Sequence, residues 1–261
     1  MIKIEQIGRP YGFEAAIKGA RIAKESFDRS DSTFYDPWLG EYHDICGNSG
    51  PYDADRMWAN EELGKNDLEL MDRLAKAGSE HAKYRRVIVV HVEVTAPIYW
   101  WKEMDTYKIG VTRLSNSTMH NIHKHEFTIE DFSVDHFSDV CRKVDDNVWE
   151  NDVAVTIEEA LDLEYIGGLH LTNYGVLDVV LEYLNAARKR YLETKDKKYW
   201  WQMIQLLPST YNQTSVLCLN YEVLANIYKQ RKNHKLDEWH VFCDWIERLP
   251  YAKDMITYDE R

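Results

Sequence analysis

The densest group of side chains able to bind a metal is His120, His123 and His125, followed by Glu126, Asp131, Asp135 and His136. Neutral imidazoles and carboxylates are the usual ligands of zinc and related ions. The H-x-x-H-x-H spacing is a weak one. His120 and His123 share a helical face and His125 falls elsewhere, so a polar helix end is the reading taken and no metal is expected. A second group is cationic: Arg85 and Arg86 precede the run VIVVHVEV, and Lys102, Lys108 and Arg113 follow it. Such a cluster suits a phosphorylated small ligand, and solvated surface charge explains it equally well. The third group is Asn220, Asn226 and Arg231, spaced by six and five residues within one apparent helix, Leu217 to Lys232. Asn226 and Arg231 then lie on adjoining faces, which is suggestive and no more.

Several chemistries find no support. No G-x-G-x-x-G, Walker A or G-x-S-x-G motif occurs, which disfavours a glycine-rich phosphate loop and a serine nucleophile elbow. The four cysteines, Cys46, Cys141, Cys218 and Cys243, show no C-x-x-C spacing and read as reduced thiols. With 32 Lys+Arg against 44 Asp+Glu, the net charge of −12 repels polymeric nucleic acid and anionic membranes. The opening MIKIEQIGRP has no apolar leader core, and no stretch approaches the length of a membrane span, so a cytoplasmic protein is expected. The 9 Trp, 17 Tyr and 7 Phe include the doublets Trp100-Trp101 and Trp200-Trp201; such rings stack on bases or flavins, or fill cores and interfaces.

The elements that must position these residues are partly visible. Glu14 to Phe27 is mixed and helical, and residues 28–57, rich in Asp, Ser, Gly and Pro, read as an irregular insertion in which Tyr35 and Trp38 either cover a site or pack on the surface. Asn66-x-x-Glu69 has the form of a capping box opening a short helix. From Val87 to Val94 the alternation of Ile88, Val90, Val92 and Val94 with His91 and Glu93 predicts a half-buried strand closed by Pro97. Residues 126–165 form an acidic variable segment, helical or irregular. The stretch from Tyr174 to Pro208 is helical with a break near Thr194 to Lys198, and Leu236 to Arg248 adds a last helix. The expectation is a single α+β domain over residues 1–261, with a mixed, mostly antiparallel sheet flanked by helices.

Two blocks together resemble the flavin-dependent thymidylate synthases. ELMDRLAKAGSEHAKYRRVIVVHVEVTAPIYWWKEMDTYKIGV is similar to the family's helix, turn and strand followed by A-P-I/F and R-Q-x-x-R-H-R-x-x-S. LLPSTYNQTSVLCLNYEVLANIYKQRKNHKLDEWHVF looks like its L-P, N, N, R series, here Pro208, Asn220, Asn226 and Arg231 with the spacing preserved. The likeness covers roughly Asn66 to Thr118 and Trp200 to Tyr251. It implies FAD as cofactor, with NADPH and methylenetetrahydrofolate, and a dUMP-like pyrimidine deoxynucleotide as substrate in a homo-oligomer, commonly a tetramer. It assigns Asn220 and Asn226 to flavin contact and Arg231 to binding and activating the pyrimidine, a guanidinium being able to stabilise charge developing on the ring. The family uses no enzymic nucleophile; the protein contributes orientation and electrostatics.

The sequence also departs from the pattern. The family's R-H-R becomes Thr106-Tyr107-Lys108, which would take the cofactor-contacting places, and the serine that follows is Val111. After a one-residue insertion, S-x-R-Y becomes Ser117-Thr118-Met119-His120, so Ser117 falls to substrate binding and a phosphate-binding arginine is lost, with Arg113, Lys102, His120 or Lys124 as the groups available to compensate. Two further arginines are Ile204 and Glu222 here. Each lost charge-assisted hydrogen bond is worth ~1.5 to 3 kcal/mol. Three readings follow: a divergent flavoenzyme acting on a pyrimidine nucleotide, a catalytically inactive nucleotide-binding or protein-interaction module, and a structural oligomer.

Overall fold

The computed structural model describes residues 2–36, 41–48, 62–137 and 173–258. Strand β1 (Lys3–Tyr11) leads through Gly12 into helix α1 (Phe13–Ile22). Gly12 has φ of 99°, and a Cβ there would stand 2.1 Å from the Val87 carbonyl oxygen, so only glycine makes this turn. A small antiparallel pair follows, β2 (Phe34–Asp36) with β3 (Glu41–His43), in which Tyr35 faces Tyr42. Helix α2 (Lys65–Lys76) precedes β4 (Val89–Pro97), α3 (Ile98–Met104), β5 (Val111–Ser115) and the one-turn α4 (Thr118–Asn121). Then come α5 (Asn173–Thr194), α6 (Lys197–Leu206), β6 (Asn212–Asn220), α7 (Tyr221–Arg231), α8 (Asp237–Glu247) and α9 (Ala252–Met255). The main sheet has the order β1-β4-β6-β5. The chain therefore has the expected α+β class, an antiparallel sheet flanked by helices.

The chain divides into two compact units. One comprises Met1–Ile2, Thr95–Lys102 and Ser115–Thr214, the other Lys3–Val94, Glu103–Leu114 and Ser215–Arg261. The core of the first unit gathers Ile122, Phe127 and Phe132 against Leu177, Leu184, Ala187 and Met203, so α5 and α6 bury one apolar stripe each. In the second, Ile88, Val90, Val92 and Val94 are fully buried, as are Leu217 and Leu219 of β6 and Leu224 and Ile227 of α7. The period-2 alternation read in the sequence is thus the burial pattern of β4.

The structure corrects several local expectations. The segment Leu217 to Lys232 is not one helix: Asn212–Asn220 is a strand, and the helix starts only at Tyr221. The strand shows weakly in sequence because its half-buried positions, Val216 and Cys218, are apolar like the buried Leu217 and Leu219. Asn66 does not cap α2, which begins at Lys65 after Gly64. The cap comes from Asp31, whose carboxylate accepts the N–H of Asn66 at 3.0 Å and of Asp67 at 3.2 Å. Helix α1 stops at Ile22 rather than Phe27. The expected irregular insertion contains β2 and β3; Tyr35 packs its ring against Tyr42, 5.1 Å between centroids, while Trp38 lies outside the described residues. The break between the long C-terminal helices falls where expected, at Lys195, which has φ of 57°.

Asp67 ties this region together. Its fully buried carboxylate takes Nε of Arg21 at 2.8 Å, the hydroxyls of Ser30 and Ser32 at 2.7 Å each, and the N–H of Asp31 at 3.2 Å. Burial alone would push this carboxyl up; the two serine hydroxyls and Arg21 outweigh it and hold the pKa below the usual 3.8.

Candidate functional site

Within the second unit Glu103, Tyr107 and Trp239 meet Arg231. After Pro97, α3 ends at Met104, and the Thr106 hydroxyl donates to the Glu103 carbonyl at 2.7 Å, closing the helix. The chain then turns at Gly110, φ 78°, into β5. A Cβ at Gly110 would lie 2.6 Å from Nδ2 of Asn220, so β6 and this turn touch through an absent side chain. Asn220 itself ends β6 and caps α7: its Oδ1 accepts the Val223 N–H at 3.0 Å. One helix later Arg231 emerges in the last turn of α7.

The guanidinium of Arg231 is held on three sides. Its Nη1 donates to Glu103 Oε2 at 2.7 Å, and its Nε donates to the Tyr107 hydroxyl at 2.9 Å. That hydroxyl in turn donates to Oε1 of Gln230 at 2.9 Å. The guanidinium carbon sits 4.8 Å from the centroid of the Trp239 ring and 5.6 Å from that of Tyr107, a stacked arrangement an ammonium could not reproduce. Glu103 Oε2 also accepts Nε1–H of Trp239 at 2.9 Å and lies 3.4 Å from Nε2 of His234. Because His234 Nδ1 accepts the Leu236 N–H at 3.2 Å, the ring proton stands on Nε2, facing the carboxylate.

Beside this assembly a cleft of about 300 Å³ is lined by Tyr107, Lys108, Val111, Arg113 and Leu217. Lys108 is exposed there. Arg113 is clasped by both oxygens of Asp105 at 2.9 Å and donates to Ser215 Oγ at 3.0 Å. The structure thus brings Tyr107 and Arg231 into contact and sets Lys108 and Arg113 along one cleft. Thr106 is spent on the helix end. Asn226 is exposed on α7 and makes no side-chain hydrogen bond among the described residues. Ser117 and His120 belong to the first unit, where Ser117 precedes α4 and His120 is exposed on it. In that unit Gln213 donates to Thr118 Oγ1 at 2.5 Å and Trp200 donates to the Met119 carbonyl at 3.0 Å.

Of the expected positive neighbourhood, Lys108 and Arg113 line one cleft. Arg86 is chelated by Glu222, Arg113 is clasped by Asp105 and Arg231 pairs with Glu103 through one contact, so each charge is matched locally. Arg85 is buried instead, its guanidinium 4.6 Å from the Tyr258 ring centroid. Among the described residues no three His, Cys, Asp or Glu side chains converge as a metal site. Burial, with Asp244 and Glu247 adding to it, pushes the Cys243 thiol up to about 12, so it stays protonated and poorly nucleophilic. Glu103, Trp239 and His234 were not singled out in the sequence. Glu103 meets Arg231 across 128 positions and Trp239 across 136; the alignment that sets R-H-R at Thr106-Tyr107-Lys108 also sets Glu103 at the motif's glutamine, the one signal that could have found it.

No family model and no curated relative matches the sequence. Solved structures do match along almost the whole chain. Thymidylate Synthase X from Helicobacter pylori, crystallised with FAD and dUMP, superposes with a TM-score of 0.56 at 14% identity, covering 98% of both chains. The UMP/dUMP methylase PolB from Streptomyces cacaoi, bound with 5-Br dUMP, gives 0.53 at 14% identity over 98% of this chain and 95% of that one. Its complex with 5-Br UMP gives 0.54 at 12% identity, over 98% and 94%. At such identity the likeness is one of fold, and the chain folds as the flavin-dependent thymidylate synthases do.

Proposed function

We propose that this protein binds FAD and a pyrimidine nucleotide and transfers a one-carbon unit to the base, the flavin supplying the hydride when bound. The observation that carries this reading is Arg231: a preorganised guanidinium, fixed by Glu103 and Tyr107 and stacked on Trp239, at the position where the Pro208, Asn220, Asn226, Arg231 series of the resemblance places the pyrimidine-activating group. A donor held in place needs no reorganisation as charge develops on a bound ring. The fold likeness to proteins crystallised with FAD and dUMP, or with 5-Br UMP, supports it. Lys108 at the cleft and the exposed amide of Asn226 on α7 would offer N–H groups to a flavin's phosphates and ring carbonyls, and Tyr107 lines the cleft. Methylenetetrahydrofolate as one-carbon donor, NADPH as reductant, a homotetrameric assembly and a cytoplasmic location belong to the same reading. Ser117, His120 and Arg113 are its remaining substrate-binding candidates.

The test is turnover. Protein supplied with FAD, NADPH and methylenetetrahydrofolate should release tritium from C5-labelled deoxynucleotide, and Arg231→Ala should abolish the release. A second reading, a catalytically inactive nucleotide-binding or interaction module, draws on the matching of Arg86, Arg113 and Arg231 by carboxylates, which weakens the site for anions. Nucleotide binding without tritium release from any deoxynucleotide is its signature.

A further inference from the structure

Two arginines among the described residues are buried, Arg21 and Arg85, each 4% exposed. Arg21 is matched throughout: Nε and Nη2 face Asp67 Oδ1 at 2.8 and 2.7 Å, and Nη2 also donates to the Arg29 carbonyl at 3.1 Å. Arg85, in the 3-10 turn Ala82–Arg86, is not, since its Nε and Nη2 are buried and meet no acceptor among the described residues. Its guanidinium carbon meets rings instead, 4.6 Å from the centroid of Tyr258 and 6.0 Å from that of Tyr84. Ring faces attract the cation and leave its N–H edge unsatisfied. The Tyr84 hydroxyl is no counter-charge. It donates to the Met71 carbonyl at 2.9 Å, and burial pushes its pKa up to about 12, so it stays neutral. Asp72, whose charge Tyr84 feels, is held by Lys76 at 2.7 Å.

A guanidinium does not shed its proton, so burial leaves it a cation in need of an anion. Nε–H and Nη2–H lie side by side on one edge of the planar fork, the pair that takes the two oxygens of a carboxylate or phosphate. We infer that Arg85 is an oxyanion-binding residue, its Nε and Nη2 edge taking a carboxylate or phosphoryl group bidentately while Tyr258 stacks on the guanidinium face. Two sources share this chemistry. One is a free oxyanion such as inorganic phosphate. The other is the carboxylate of Asp259 or Glu260, which follow Tyr258 in the sequence and lie outside the described residues. At ~3.8 Å between successive Cα atoms, a carboxylate one or two positions beyond a ring 4.6 Å away reaches that edge. The neighbouring Arg86 is already paired with Glu222, and Glu103, Tyr107 and Arg231 take no part.

Thermal unfolding of the full chain tests this, at one ionic strength, in sodium chloride and with inorganic phosphate replacing it. The proteins compared are the native chain, the double variant Asp259→Asn/Glu260→Gln, and each of these with Arg85→Leu. If the chain's own carboxylate fills the edge, the double variant should lower Tm by about 3 °C or more in chloride and phosphate should recover part of the loss. Both effects should vanish in the Arg85→Leu background, as a coupled pair requires. If a free oxyanion fills it, the double variant should leave Tm unchanged. Phosphate should then raise the native Tm by about 3 °C or more, and Arg85→Leu should abolish the rise. Shifts of equal size with and without Arg85, or no shift in either arm, overturn the inference. Where Arg85→Leu does not fold, Arg85→Lys keeps the charge without the fork and should lose most of each response. The Nε–H resonance of Arg85 gives a readout with no substitution at that residue: it should move on addition of phosphate or in the double variant, and a resonance unmoved by both overturns the inference.

Discussion

Glu222 chelates Arg86 through two hydrogen bonds of 2.6 and 3.0 Å, at the position where the resemblance expects an arginine. The reversal of sign at residue 222 thus has its counter-charge on the segment that leads into β4. The carboxylate holds the Arg86 guanidinium above its ordinary range by hydrogen bonding first and by charge second. The pair is half-exposed, with the side chain of Arg86 52% accessible, and water and salt screen it. Glu222→Ala should lower Tm by about 1–3 °C at low ionic strength and by nothing measurable in 1 M salt. Glu222→Arg, which opposes two cations, should lower Tm further at low salt. Calorimetric scans at the two ionic strengths decide this.

The Asp67 network carries far more stability. Asp67→Asn removes the counter-charge of a buried Arg21, whose side chain is only 5% accessible, and should cost about 3–5 kcal/mol in urea unfolding. The pH dependence follows from the depressed carboxyl. A carboxyl whose folded pKa lies below its unfolded 3.8 contributes fully above 3.8 and loses that contribution as pH falls through the folded value. Unfolding free energy of the native chain should therefore decline steeply below about pH 4. In Asp67→Asn the decline over the same window should be shallower.

Asn220 holds two roles that separate by substitution. Its side-chain oxygen caps α7 through Val223, and the resemblance gives it a flavin contact. Asn220→Asp keeps a capping oxygen, so Tm should stay within about 2 °C, whereas Asn220→Ala should lose about 1 kcal/mol. If the amide nitrogen contacts flavin, FAD affinity falls about tenfold in both variants. Gly110→Ala, forcing a Cβ toward Asn220 Nδ2 at a φ of 78°, should cost about 1–3 kcal/mol and weaken FAD binding as well. Equilibrium unfolding and fluorescence titration of FAD read these outcomes separately.

Tyr107 stands where the resemblance has a histidine, and its hydroxyl links Arg231 to Gln230. Tyr107→Phe leaves the ring wall of the cleft intact and removes one of the two groups that fix the guanidinium. The expected result is a fall of about tenfold in kcat with little change in the KM for nucleotide, since orientation and not ligand contact is lost. Steady-state kinetics of the variant, with circular dichroism as the check on folding, measures it.

The regular core was the most legible feature of the sequence, because β4 alternates buried Val90, Val92 and Val94 with more polar neighbours, and α5 and α6 carry long apolar stripes. The end of strand β6, from Leu217, reads as helix in the sequence because both of its faces are apolar around Val216 to Leu219, which erases the alternation. Local pattern points to Asn66 as the cap of α2, while the group that serves is Asp31, 35 positions earlier. The site was half legible. Arg231 and Tyr107 lie at positions marked by a motif, and so does Glu103, at the place of its glutamine, whereas Trp239 and His234 acquire meaning only when folding brings α3, α7 and α8 together.

The central claim is tested most directly by the absorbance spectrum of the purified protein before and during titration with FAD, with released flavin identified by chromatography. The account predicts flavin bands near 370 and 450 nm, about one FAD bound per chain at saturation, and weakened binding in the Lys108→Ala and Asn226→Ala variants. A colourless protein whose fluorescence and spectrum do not respond to added FAD would contradict the assignment of a flavin-dependent pyrimidine transferase.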